Sequence, residues 1–138
     1  MSLLSNKYDI SMWQGSTFGM TVTVQDANNV AKNISSDSLR MQIRSTYDSK
    51  TAEETLTTSN GEITITDGAN GTFHIELNAA RTANIDVDLS NMVTVQLSET
   101  SIASIPRQSY VYDLELITAN STTKILYGTV YVYGEVTR

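Results

Sequence analysis

An all-β sandwich is the fold class that this 138-residue chain predicts, with about eight antiparallel strands, one short helix and a single domain over residues 1–138. Two observations carry the prediction. Apolar and polar residues alternate with period two in segment after segment, and clusters of Gly, Asn and Asp punctuate them about every 8 to 12 residues. A third is composition: about a quarter of the chain is Ser or Thr, and Thr suits strands.

The first alternation runs through Tyr8, Ile10 and Met12 to Trp13-Gln14-Gly15, and the second through Phe18, Met20, Val22 and Val24. Asp26-Ala27-Asn28-Asn29 supplies turn chemistry, since Asn and Asp bond their own backbone and tolerate left-handed conformations. Val30 to Asp37 reads as a connecting loop anchored by Ile34. In the next strand Leu39, Met41 and Ile43 face one way and Arg40, Gln42 and Arg44 the other. Tyr47 to Glu54 is a polar loop in which Glu53 and Glu54 read as solvated charges, as does Glu99 further on. Short strands follow at Thr55–Thr58, Glu62–Thr66 and Thr72–Leu77, separated by turns at Ser59-Asn60-Gly61 and Asp67-Gly68-Ala69-Asn70-Gly71. Asn78 caps a helix of one or two turns over Ala79–Ala83, too short to persist unless it lies on a sheet. Met92 to Leu97 resumes the alternation, and Ser98 to Gln108, which holds the one proline, Pro106, reads as a loop. The last hairpin is the clearest. Tyr110, Tyr112, Leu114 and Leu116 share a face, the turn is Ala119–Thr122, and Lys124 to Val136 returns. On the returning strand Leu126, Gly128, Val130, Val132 and Val136 point one way; Ile125, Tyr127, Thr129, Tyr131 and Tyr133 point the other.

Composition excludes several classes. A chain of this length buries roughly 68–70% of its unfolded surface, so one core holds it without staples. There is no cysteine, so disulfides, thiolate metal sites and a cysteine nucleophile are all ruled out, and a reducing compartment is favoured. The net charge of −6 and a pI near 4.6, with nine scattered basic residues, argue against nucleic acid and against an anionic membrane. No apolar run approaches the ~20 residues of a membrane span. Met1–Lys7 lacks the basic start and apolar length of a signal peptide.

Catalytic chemistry has little to stand on. His74, the one histidine, sits between core positions Phe73 and Ile75 and reads as a solvent-facing strand residue. Asn84-Ile85-Asp86-Val87-Asp88 spaces oxygen ligands at every second position but lacks the glycine and terminal glutamate of an EF-hand loop. There is no G-x-S-x-G elbow and no phosphate-binding glycine loop, because Gly68 and Gly71 lie between two strands. Asp113 and Glu115 share a strand face and could line a site of paired carboxylates for glycoside hydrolysis, but nothing else in the sequence supports one. The expectation is a protein that is not an enzyme, with no catalytic residues, no metal ligands and no cofactor.

Tyrosine is the residue type that stands out. Five of seven lie in the last hairpin, and Tyr127, Tyr131 and Tyr133 share one side of one strand. Tyrosine joins a large contact area to a polar tip and is enriched at interfaces. These three and Trp13 are the candidate interface residues. Exposed aromatics also bind sugars, so the alternative is a carbohydrate-binding or adhesive module.

Gln14-Gly15-Ser16-Thr17-Phe18 leads into Thr21–Ala27, followed by Leu39–Arg44, Asn70-Gly71-Thr72-Phe73, Tyr110–Leu116, Gly128-Thr129-Val130 and the closing Val136-Thr137-Arg138. Together these stretches resemble small structural proteins of tailed bacteriophages and are similar to the N-terminal domain of baseplate upper proteins. Asn28-Asn29-Val30-Ala31 replaces the glycine-proline turn of that pattern, and Leu89–Gln108 reads as an insertion before the Tyr110 strand. The resemblance implies an immunoglobulin-like sandwich in a virion, assembled in the host cytoplasm as a tail- or baseplate-associated adaptor. Its partners would be other virion proteins or further copies of itself, met through the tyrosine face, an edge strand or the 89–108 loop. The family carries no catalytic residues.

Overall fold

A computed structural model describes residues 6–96 and 102–134. The expected strand ends at Leu97 and Val136, and the loop charge Glu99, lie outside the described residues. The chain forms β1 (Asn6–Lys7), β2 (Ile10–Trp13), β3 (Phe18–Thr23), β4 (Ser38–Arg44), β5 (Glu54–Thr57), β6 (Ile63–Asp67), β7 (Thr72–Leu77), α1 (Ala79–Ala83), β8 (Met92–Gln96), β9 (Ile102–Ile117) and β10 (Thr122–Tyr133). The expected all-β sandwich is there. One sheet runs β1-β10-β9-β4-β5, with β2 also on β10 and β8 on β9; the other runs β3-β7-β6. Strands β10-β9-β4-β5 over β3-β7-β6 reproduce the G-F-C-C′ over B-E-D arrangement of immunoglobulin domains. The pairing is antiparallel except at β1 and β2, which run parallel to β10.

The core lies between the sheets, built by the inward residue of each alternation. Leu39, Met41, Ile43, Tyr112, Leu114, Leu116, Val130 and Val132 of the large sheet meet Ile63, Phe73, Ile75 and Leu77 of the small one. Ile34 is fully buried, as its loop-anchor role requires. The turns use the expected chemistry. Asp26 Oδ1 accepts the Asn28 and Val30 N–H groups, Asn29 takes φ 64°, and Asn78 Oδ1 accepts the Arg81 N–H at 2.9 Å to cap α1.

Four expectations are corrected. The stretch read as a loop at Ser98–Gln108 supplies, from Ile102 onward, the first half of β9, which pairs with β8. Pro106 is a loop signal in sequence, yet β9 tolerates it. Its carbonyl accepts the Gly134 N–H, so its missing donor faces the side where β10 ends. The N-terminal alternation is broken at Tyr8-Asp9, leaving Tyr8 exposed while Ile10 and Met12 are buried. Asp9 Oδ1 takes the Thr129 N–H at 2.9 Å and the Tyr112 hydroxyl donates to the Tyr8 carbonyl. Gly128 allows this approach, because a Cβ there would sit 2.6 Å from the Tyr8 oxygen. Ile125 is buried with the core, because a register shift between Lys124 and Leu126 inserts it as an extra residue. Finally, Glu54 is not a solvated loop charge. Glu54 at the start of β5 and Glu62 before β6 both accept from the Arg81 guanidinium, which ties α1 to the edges of both sheets.

Candidate docking surface

The outer face of the large sheet is set by strand parity. With Ile10 and Met12 turned to the core, Ser11 and Trp13 of β2 face outward; with Val130 and Val132 inward, Thr129, Tyr131 and Tyr133 of β10 do the same. Register then lays Trp13, Tyr133 and Arg107 side by side across β2, β10 and β9, with Ser11, Tyr131 and Ser109 in the next row. The Trp13 and Tyr133 rings stack at 4.8 Å between centroids and 24° between planes. The Arg107 guanidinium lies diagonally over Tyr131 at 4.5 Å and 6.0 Å from Tyr133. Such a stack contributes about 0.5–1.5 kcal/mol and such a cation–π contact about 0.5–1 kcal/mol, enough to hold these flat side chains in place. Trp13 remains 45% exposed, so its indole face is not consumed by the fold.

Three of the four candidate residues therefore form one patch. Tyr127 shares the face but stands apart beyond Thr129, in register with Asp113 and with the Lys124 ammonium 6.0 Å from its ring. Around it the face is polar: Lys124 meets Asp113 at 3.7 Å, and Arg40 meets Glu115 at 2.7 Å. Asp113 and Glu115 are thus held in ion pairs on an open strand face. A shallow recess of about 90 Å3 on this face is lined by Gln42, Arg44, Tyr47, Val111 and Asp113. Arg107 is the residue that sequence reasoning missed. Its signal was the period-two run Arg107, Ser109, Val111 and Asp113, which extends the Tyr110 strand backward past the proline.

The other sequence candidates fall elsewhere. His74 lies on the outer face of the small sheet, with Nδ1 3.1 Å from the Thr21 hydroxyl and Nε2 3.8 Å from Glu76. Asp86 and Asp88 are exposed. The Asp88 carboxyl is held below its ordinary range by hydrogen bonds from the Ser90 hydroxyl and N–H. Among the described residues no group of three or more His, Cys, Asp or Glu is placed to hold a metal, and no helix is long and apolar enough to cross a membrane. A wider concavity of about 510 Å3 opens by the 118–121 turn, lined by Lys32, Asp37, Leu116, Asn120 and Thr123, where Lys32 and Asp37 pair at 3.5 Å.

No protein-family model matches the chain, and no curated protein matches it.

Proposed function

We propose that the chain is a non-enzymatic docking domain of a tailed-phage particle, an adaptor associated with the tail or baseplate that binds another virion protein through the outer face of its large sheet. The observation that carries this reading is the Trp13–Tyr133–Arg107–Tyr131 row. Aromatic and arginine side chains dominate interface energetics, and here they are pre-stacked on a solvent-facing sheet. Pre-stacking removes much of the ordering cost that flexible side chains bring to binding. The paired charges of Arg40, Glu115, Lys124 and Asp113 form a polar margin on one side, which suits a partner that excludes water only over the aromatic row. The resemblance to baseplate-associated domains supplies the virion setting.

Cross-linking mass spectrometry of purified particles tests this. The chain should be present, with Lys124 or Lys7, which border Tyr127, linked to a second particle protein. Absence from particles would overturn the virion role. Specific glycan binding by the isolated chain that is lost on Trp13→Ala would transfer the same row to the carbohydrate-binding reading.

A further inference from the structure

β3 pairs only with β7, so one side of its backbone has no strand neighbour among the described residues. Just past its end, the Val24 N–H bonds to the Gly71 carbonyl on the β7 side. Backbone groups alternate sides along a strand, which turns those of Gly19, Thr21 and Thr23 to the open edge. Proteins blunt such edges with charge, proline or a bulge. Three other outer strands do so here: β1 carries Lys7, β5 carries Glu54, and β6 has a register shift and Asp67, whereas β2 and β8, each paired on one side, share the uncharged character of β3. Phe18–Thr23 has no charge, no proline and no shift, and it is rich in residues that favour strands. The core is also incompletely closed along this edge. Phe18, Met20, Val22 and Leu126 are only partly buried, and a recess of about 310 Å3 opens beside Tyr8, Met20, Val22 and Leu126. Tyr8 stands 55% exposed at its rim.

We propose that β3 pairs antiparallel with β3 of a second copy, joining two three-stranded sheets into one continuous sheet. The strand is its own complement. Around a two-fold axis beside Thr21, Gly19 of each copy lies opposite Thr23 of the other, and Met20 lies opposite Val22. Apolar side chains then meet on the recess side and hydroxyls on the solvent side, so the register satisfies both faces at once. A hydroxyl pair of this kind already exists across β3 and β7, where Thr23 and Thr72 lie 3.0 Å apart. The net charge of −6 sets copies against one another, and a neutral edge is where that repulsion is least. Two-fold pairing also closes, consuming both β3 edges and leaving neither to propagate. This surface is separate from the aromatic row, and the inference does not rest on the virion reading.

Sedimentation or light scattering across about 10 μM to about 1 mM tests it, a range chosen because an edge contact falls short of the ~1,000 Å2 of a stable interface. The mass of the wild-type chain should climb from 15.2 kDa toward twice that value. Thr21→Lys, which sets like charges opposite each other, and Thr21→Pro, which removes an edge-facing donor without breaking a backbone bond to β7, should both stay monomeric with an unchanged circular dichroism spectrum, each losing only the exposed Thr21–His74 side-chain contact. Trp13→Ser should dimerise as the wild type does. If Thr21→Pro fails to fold, Thr21→Lys decides. A mass fixed at 15.2 kDa through the range overturns the proposal, as does a dimer that Thr21→Lys leaves intact.

Discussion

Tyr110 and Tyr112 spend their hydroxyls inside the molecule. Tyr110 donates to the Asp86 carbonyl in the connection between β7 and β9, and Tyr112 donates to the carbonyl of Tyr8. Burial, reinforced by Glu53 and Asp86, pushes the Tyr110 phenol up to about 12, and burial with Asp9 nearby pushes that of Tyr112 up as well. The sign follows from linkage. Below about pH 10 both phenols are protonated whether the chain is folded or not, and their contribution is complete; from there upward the unfolded chain loses protons first and stability falls. Urea unfolding at stepped pH should therefore show a decline beginning near pH 10. The Tyr110→Phe, Tyr112→Phe double variant should begin lower at pH 8, by about 1 kcal/mol per lost hydrogen bond, and decline less steeply above pH 10. Equal slopes for the two proteins would mean that the buried phenols are not the cause.

Arg81 shows what a five-residue helix does among these elements. The α1 segment is too short to stand alone, and two side chains tie it down. Thr82 is buried, with its hydroxyl 2.8 Å from the Ser16 carbonyl, while Arg81 reaches Glu54 and Glu62. Hydrogen bonding to Glu54, above all, raises the guanidinium pKa, so the fork stays charged. Arg81→Ala would strand two largely buried carboxylates and is expected to cost about 1–3 kcal/mol in chemical denaturation. Arg81→Lys should recover only part of this, because one ammonium cannot match a planar fork that spans two acids. A loss below measurement error in Arg81→Ala would reduce the clasp to a surface ion pair. The same elements show how far sequence goes. Strands such as Leu39–Ile43 and Phe73–Leu77 were legible because a sandwich buries alternate residues, and Asn78 announced its helix by its capping chemistry. Glu54 was misread because its partner lies 27 residues away in sequence, a pairing that no local pattern encodes. The Ile125 bulge and the break at Tyr8-Asp9 were hidden for a related reason. Both depend on how a neighbouring strand approaches, and period two carries no information about that.

At the scale of the whole molecule, the sandwich separates surfaces that sequence could only name. Tyr131, Tyr133 and Trp13 were recognisable as outward aromatics, but their convergence depends on β2 running parallel to β10, and Arg107 joined them only once the Pro106 segment folded as a strand. One face now carries the aromatic row, the opposite face carries His74 and the threonines, and β3 forms an uncharged edge between them. The most direct measurement is incorporation into particles of variants that differ only in which face they alter. Trp13→Ser with Tyr131→Ser removes the row from an outward face and should leave the fold intact while sharply lowering the amount of chain recovered in purified particles. Thr64→Lys, exposed on the small sheet, should be incorporated like the wild type. Full incorporation of the aromatic double variant, or its loss only with Thr64→Lys, would contradict docking through the large sheet.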